Sequence, residues 1–177
     1  TRHSLLFCLG GGVVTDMGGF AAATYMRGMQ FVNIPTSLLG MIDASAGGKT
    51  GFDYMGYKNL IGSFKMPKET IVDPAFLRTL PAEQILSGFA EMVKHALISS
   101  PLELMSVLAF DLHAYLTQPD ESVLSELISR SIDIKNYIVD SDPEEEGMRQ
   151  TLNFGHTIGH ALEVHWLKKG QPMLHGY

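Results

Sequence analysis

Leu5-Leu6-Phe7-Cys8-Leu9-Gly10-Gly11-Gly12 is a short apolar run that ends in three glycines and passes into a stretch of small residues, Val13 to Met26. The run has the length and composition of a buried strand, and the stretch after it reads as a helix. Strand, glycine turn, helix is the order of a nucleotide-binding α/β unit. Glycine lets the backbone approach a ligand closely. The amides at the start of the following helix can then hold a pyrophosphate, helped by the helix dipole. The stretch lacks the G-x-G-x-x-G fingerprint, and tight turns also use glycine. It therefore speaks more clearly for the fold than for the ligand.

The next segments extend the same pattern. Phe31 to Ile34 reads as a second short strand, ended by Pro35. Thr36 and Ser37 are placed to cap a helix running to about Ala46. Gly47-Gly48-Lys49-Thr50-Gly51 breaks that helix, and Ile71-Val72-Asp73-Pro74 resembles another strand end. After Leu80-Pro81 the periodicity becomes helical. Ala82 to Ser99, Glu103 to Leu116, Ser122 to Val139 and Thr151 to Trp166 carry apolar residues at helical spacing. Pro101, Pro119 and Pro143 punctuate them. The expectation is an α/β nucleotide-binding part over residues 1–80 and an all-helical part over 81–177. The acidic run from Asp140 to Glu146 reads as a solvated connection.

Composition narrows the class. At 177 residues and 45% hydrophobic the chain can bury a core, either as one domain or as parts of two. A net charge of −6 disfavours nucleic acid. No apolar run approaches the roughly 20 residues that span a bilayer. No signal-peptide pattern is present, so a cytoplasmic location is expected. The single cysteine, Cys8, excludes an internal disulfide framework and reads as core rather than as a nucleophile.

Chemistry concentrates in a few places. In Asn153-Phe154-Gly155-His156-Thr157-Ile158-Gly159-His160, two histidines four apart share one helix face. His175 follows, and Glu91 lies upstream in Gly88-Phe89-Ala90-Glu91-Met92-Val93-Lys94-His95. Histidines with a carboxylate are the donor types of a catalytic zinc site. By spacing alone the metal pair would be His156 with His160. Gly47-Gly48-Lys49-Thr50 looks like the end of a phosphate loop, but Asp43 stands where the first glycine of that motif is required. An NTPase is therefore rejected. Lys49 and the pair Lys58-Asn59 read either as anion contacts or as exposed side chains.

Taken together, the segments Gly10-Gly-Gly-Val-Val-Thr-Asp16-Met-Gly-Gly-Phe20, Tyr25-Met-Arg27-Gly28, Ile34-Pro-Thr-Ser-Leu-Leu39, Asp43-Ala-Ser-Ala-Gly-Gly-Lys49-Thr50, Lys58-Asn59-Leu-Ile-Gly62, Gly88-Phe-Ala-Glu91-Met-Val-Lys94 and Leu152-Asn153-Phe-Gly-His156-Thr-Ile-Gly-His160-Ala-Leu-Glu163 resemble the 3-dehydroquinate synthase family. They occur in the family's order over nearly all of residues 5–176. The resemblance implies a dehydroquinate synthase-like fold truncated at both ends. Residues 1–80 would be the C-terminal part of an NAD-binding α/β domain. Residues 81–177 would be the N-terminal part of a helical metal- and substrate-binding domain.

The same resemblance assigns roles. Glu91, His156 and His175 match zinc ligands, with Co2+ as an alternative metal, and His160 goes to the substrate instead. Gly11, Gly12, Val13, Val14, Thr15, Asp16, Thr36, Ser37, Lys49, Lys58 and the turn Phe76, Leu77, Arg78, Thr79 match positions that bind NAD. Asp43, Lys49, Asn59, Lys94, Lys135, Arg149, Asn153 and His160 match positions around a sugar phosphate. Arg27 matches an arginine that reaches a neighbouring subunit's phosphate site, which implies a homodimer. The chain departs from the pattern at Tyr177, where the family has Glu, at Thr15, often Gly, and in the stretch Trp166 to Gly170, which reads as a small insertion. The implied activity converts 3-deoxy-D-arabino-heptulosonate 7-phosphate into 3-dehydroquinate and phosphate in the shikimate pathway. It proceeds by transient oxidation through NAD, phosphate elimination, re-reduction and intramolecular aldol closure. Another sugar phosphate cyclase, of the inosose or valiolone type, a metal-dependent polyol dehydrogenase and a non-catalytic fragment are the competing readings.

Overall fold

The computed structural model describes residues 1, 3–55 and 57–176, and all of their side chains except those of Lys58, Asn59 and Glu121. Strand β1 (Leu5–Gly10) leads into helix α1 (Gly12–Thr24), which returns to strand β2 (Gln30–Pro35). The two strands pair in parallel from Leu5↔Gln30 to Gly10↔Pro35. A parallel pair needs such a crossover, because its strands run in the same direction. Helix α1 lies close over the sheet because Gly18 and Gly19 face it. A Cβ on Gly18 would sit 2.3 Å from Cys8 Sγ, and one on Gly19 would sit 3.2 Å from the Phe31 ring and 2.5 Å from Thr50 Cγ2 in the hairpin that follows. Cys8 is buried there with Ala22 and Phe31, as an apolar strand residue should be.

The expected helix after Thr36-Ser37 is a short helical segment that ends in a π-helical turn, Gly40–Ala44. Two further features differ from the reading of the sequence. The glycine-rich stretch after it forms an antiparallel hairpin, β3 (Lys49–Tyr54) with β4 (Tyr57–Phe64). Gly51 and Gly62 face one another across it, and a Cβ on either would strike the opposite backbone at 2.6 or 2.5 Å. The third parallel strand, β5, is Glu69–Thr70, two residues before the expected one. Ile71 still donates its amide to Asn33 O at 2.8 Å, so the chain continues along β2 before turning away.

Past the 3-10 turn Pro74–Thr79 the chain is helical: α2 (Ala82–Ser99), α3 (Pro101–Leu108), α4 (Leu112–Thr117), α5 (Glu121–Ser141) and α6 (His156–Lys168). The single helix expected over Glu103 to Leu116 is two. Asp111 caps the second by accepting from Ala114 N at 2.9 Å, so the chain restarts rather than continues. The stretch from Thr151 likewise begins in a 3-10 turn, Met148–Asn153, and α6 starts only at His156. The main core joins both parts of the chain. Leu38, Met41 and Ile42 from the π-turn region pack with Leu77, Ile85, Met92 and Leu124. No helix among the described residues is long and apolar enough to cross a membrane.

Candidate metal and substrate site

Helix α2 buries Ile85, Met92 and Ala96 on its apolar face, and the same burial takes in Glu91, Lys94 and His95. Buried charges need partners, and each of these has one. Lys94 forms an ion pair with Glu91 one turn away. His175 brings Nε2 to 3.3 Å from Glu91 Oε1. Burial works to raise the Glu91 pKa, but the hydrogen bond from His175 and the Lys94 charge win, and it lies below the usual range. The bond to Glu91 raises the His175 pKa, with Glu163 adding to the effect.

His156 reaches this point from α6. Gly155 precedes it in the left-handed region, at φ 80°, a conformation that glycine accepts without strain. The backbone therefore turns sharply, and His156 is the first residue of the helix. The ring of His156 lies 5.0 Å from that of His175 and 5.1 Å from that of His160. One donor atom each from Glu91, His156 and His175 lie within 4.8 Å of one another. Ligands about 2.0–2.2 Å from a tetrahedral zinc stand roughly 3.3–3.6 Å apart. The three groups thus need only a small contraction to share an ion, and their donor set is the His/His/carboxylate type of catalytic zinc.

A second cluster adjoins the first. Lys135 on α5 donates to both Asp43 O and Asp43 Oδ1, each at 2.5 Å. Burial pushes the Asp43 pKa up, but Lys135 and Lys94 overcome it and hold the carboxyl well below its ordinary value. His95 is fully buried, with Nδ1 2.8 Å from Ser131 Oγ and Nε2 3.9 Å from Asp43 Oδ1. Burial, aided by Lys94 and Lys135 and opposed by Asp43, lowers its pKa to about 4, so it is neutral near pH 7. A third cluster lies beside the glycine turn, where Glu145 accepts from Lys49 and from Asn153 Nδ2, the latter at 2.9 Å. The acidic run is therefore only partly a solvated connection.

Arg149 is buried, donating to Pro143 O and Gly47 O at 2.8 Å each. Its guanidinium braces two loops. The NAD-type positions divide. Gly11 and Gly12 start α1 with no side-chain cap, and Thr36 N bonds Gly10 O at 2.9 Å, which brings Thr36 and Ser37 to the same end of β1 and β2. That end is where open α/β sheets bind ligands. Val13 and Val14 are exposed there, Thr15 is buried with its hydroxyl on Gly12 O, and Asp16 is half-buried. Phe76, Arg78 and Thr79 reach the surface, whereas Leu77 belongs to the main core. Arg27 lies exposed beyond the far end of α1, about 20 Å along a 13-residue helix from Gly12, so the chain does not bring it to the clusters. The side chains of Lys58 and Asn59, and Tyr177, lie outside the described residues.

Asp16 carries a pH signature. Burial, then Asp43 and Asp53, raise its pKa to about 7, against a smaller lowering by Lys135. A raised carboxyl pKa means that the fold favours the protonated form. The stability present below about pH 4 is lost as pH rises through about 7, by up to about 4 kcal/mol. Asp16→Asn is expected to raise Tm, and by more at pH 8 than at pH 5, in thermal melts at the two pH values.

The family model described as 3-dehydroquinate synthase N-terminal matches residues 1–87, and that described as 3-dehydroquinate synthase C-terminal matches residues 88–177. The chain belongs to the 3-dehydroquinate synthase family. A 3-dehydroquinate synthase of Parabacteroides distasonis is 50% identical over 177 residues, all of this chain and 49% of that protein. The chain thus spans about half the length of the curated relative it matches. Among solved structures, a 2-epi-5-epi-valiolone synthase from Streptomyces hygroscopicus, with NAD+ and Zn2+ bound, superposes with TM-score 0.85 at 32% identity, over 98% of this chain and 47% of that one. A 2-deoxy-scyllo-inosose synthase complexed with carbaglucose-6-phosphate, NAD+ and Co2+ gives TM-score 0.87 at 26% identity, over 99% and 47%. The dehydroquinate synthase-like fold of an α/β part followed by a helical part is shared across these cyclases.

Nothing in the motifs assigns His95, Ser131, Glu145 or Glu163 to the clusters they join. Glu163 had a signal, because it stands three residues after His160 on the same helix face. Glu145 was hidden in a charge run, and nothing in the sequence marks Ser131.

Proposed function

We propose that this chain carries metal, NAD and substrate groups of a 3-dehydroquinate synthase, a phosphate-eliminating cyclase acting on 3-deoxy-D-arabino-heptulosonate 7-phosphate. The observation that carries the reading is the meeting of Glu91, His156 and His175 within 4.8 Å, beside Lys94. In this reading residues 1–80 belong to the NAD-binding domain and 81–177 to the helical domain. The enzyme is cytoplasmic and works as a homodimer in which the exposed Arg27 serves a neighbouring subunit.

Glu91, His156 and His175 would hold the zinc, which when bound supplies Lewis acidity toward a secondary alcohol and its ketone. Gly11, Gly12 and the start of α1 would hold the NAD pyrophosphate, and NAD supplies the hydride acceptor and donor. The remaining groups bind and orient. Lys94 keeps Glu91 ionised and puts a cation beside the reacting carbon skeleton. Asp43, kept anionic by Lys135, accepts hydrogen bonds from substrate hydroxyls. His160, next to His156 and His175, faces the same space and can donate to the substrate. Lys49 and Asn153 offer donors to an anionic substrate group. Arg149 acts on that group through Gly47 and the glycine turn it braces.

Glu145 now sits between Lys49 and Asn153, so an incoming anion has to displace it. Exposed ion pairs of this kind contribute roughly 0.2–1 kcal/mol. Glu145→Gln is therefore expected to lower the substrate KM by up to about fivefold with kcat little changed, read from initial rates. An unchanged or raised KM would assign Glu145 a different role.

Release of inorganic phosphate from the heptulosonate phosphate by the full-length protein, with NAD and zinc added, tests the whole reading. The likeness to the valiolone and inosose synthases supports one second reading, a cyclase acting on a different sugar phosphate. Inertness toward the heptulosonate phosphate with turnover of a hexose or heptose phosphate would favour it.

A further inference from the structure

Glu163 is a buried carboxylate on α6 that the resemblance leaves without a role. Its Oε1 lies 2.8 Å from His175 Nδ1. An ionised carboxylate can only accept, so the proton of that bond is on Nδ1. The other nitrogen of the same ring, Nε2, points at Glu91, 3.3 Å away. The ring is thus held between two carboxylates, one on each nitrogen, and its plane and direction are set. The backbone is held as well. His175 O accepts from Ser87 Oγ at 2.5 Å, and a Cβ on Gly176 would lie 2.9 Å from Ser87 O, so the segment lies directly against α2.

We propose that Glu163 is a positioning residue for the metal centre. By accepting from His175 Nδ1–H it keeps a proton on that nitrogen, so that a metal ion replacing the proton Nε2 shares with Glu91 meets the Nε2 lone pair. This rests on the reading of Glu91, His156 and His175 as the metal site. Metal-binding histidines commonly bond a carboxylate through the second ring nitrogen, and loss of that partner weakens metal affinity about 10- to 100-fold. The second donor grouping of the region, His160, Glu163 and His175, offers a rival role in which Glu163 itself binds the ion. Geometry favours the positioning role, since the carboxylate oxygen nearest His175 is already on Nδ1, the nitrogen turned away from Glu91.

The test is zinc affinity of the full-length protein, measured by competition with a chromophoric chelator, together with the visible spectrum of the Co2+-loaded form. Glu163→Gln keeps the volume of the side chain, and far-UV circular dichroism checks that it folds. Its zinc Kd is expected to rise about 10- to 100-fold while the Co2+ bands stay at their wild-type positions. Glu163→Ala should weaken binding at least as much. A zinc Kd unchanged in both variants, while His156→Ala loses zinc, overturns the positioning role and leaves the metal site standing. Displaced Co2+ bands in Glu163→Gln also overturn it, in favour of direct ligation. Zinc binding that is insensitive to His156→Ala overturns the metal reading itself and this inference with it. If the variants fail to fold, 15N spectra of His175 in the zinc-loaded wild type decide. A proton on Nδ1 is the expected result, and a proton on Nε2 overturns the proposal.

Discussion

His156→Ala is expected to lose zinc-dependent turnover by roughly three orders of magnitude, the equivalent of about 4 kcal/mol of transition-state stabilisation supplied by a Lewis acid. The fold should survive. His156 is only half-buried, at the exposed first turn of α6, and its hydrogen bond between Nδ1 and Phe154 O is a long one at 3.3 Å. His156 is a member neither of the main core nor of the small cluster of Ile138, Val139 and Leu152. The measurement is steady-state phosphate release with and without added zinc, alongside a thermal melt. A variant that retains most of its zinc-dependent rate would remove His156 from the metal set.

Lys135→Met should act on stability as well as activity. Lys135 is buried and gives two short bonds to Asp43, whose carboxylate it helps hold ionised. Removing one partner of a buried pair strands the other charge, typically at about 3–5 kcal/mol. Lys94 still faces Asp43, and the Asp43 side chain is 29% exposed, which favours the low end of that range. A loss of about 3 kcal/mol lowers Tm by roughly 6–12 °C in a protein of this size. The sign with pH follows from the carboxyl that Lys135 leaves behind: without that cation, burial pushes the Asp43 pKa up from its wild-type position. Protonation then relieves the stranded charge as pH falls, so the deficit of Lys135→Met should be largest near pH 7 and shrink toward pH 4. Adding Asp43→Asn should restore part of the stability at pH 7 without restoring activity, since both residues serve the substrate. Equal deficits at both pH values would contradict the pairing.

These two residues also show what the chain's sequence discloses. Strand, glycine turn and helix were readable from Leu5 to Met26 because each has a strong local signature. The helix starting at Asp111 was readable in principle, since aspartate there caps α4, but the apolar spacing from Glu103 to Leu116 ran straight across it. The hairpin of β3 and β4 carries no such signature. Its glycines at 51 and 62 weaken strand propensity, and what holds it is the packing of α1, visible only in three dimensions. The metal set shows the same division. Helical spacing puts His156 and His160 together, and the structure does bring their rings to 5.1 Å. Spacing has no means of choosing between His160 and His175, whose ring is equally near at 5.0 Å. Glu91 was found through its motif and Lys94 through its turn of helix. His95 and Ser131 emerge only when α2 and α5 pack side by side.

The π-turn from Gly40 to Ala44 has an implication for how such a chain can change. A Cβ on Gly12 would stand 3.0 Å from Ala44, one on Gly40 3.0 Å from Ser37 Oγ, and one on Gly88 2.6 Å from Leu38. Three separate stretches of polypeptide are thus locked around one small wedge that also carries Asp43. Growth of any of them by a methyl group must push another aside, so insertions and bulky replacements are shut out of this seam. At the hairpin end, by contrast, Met55 is 79% exposed. Lengthening of the protein over generations, or a tag grafted by an engineer, belongs at that end.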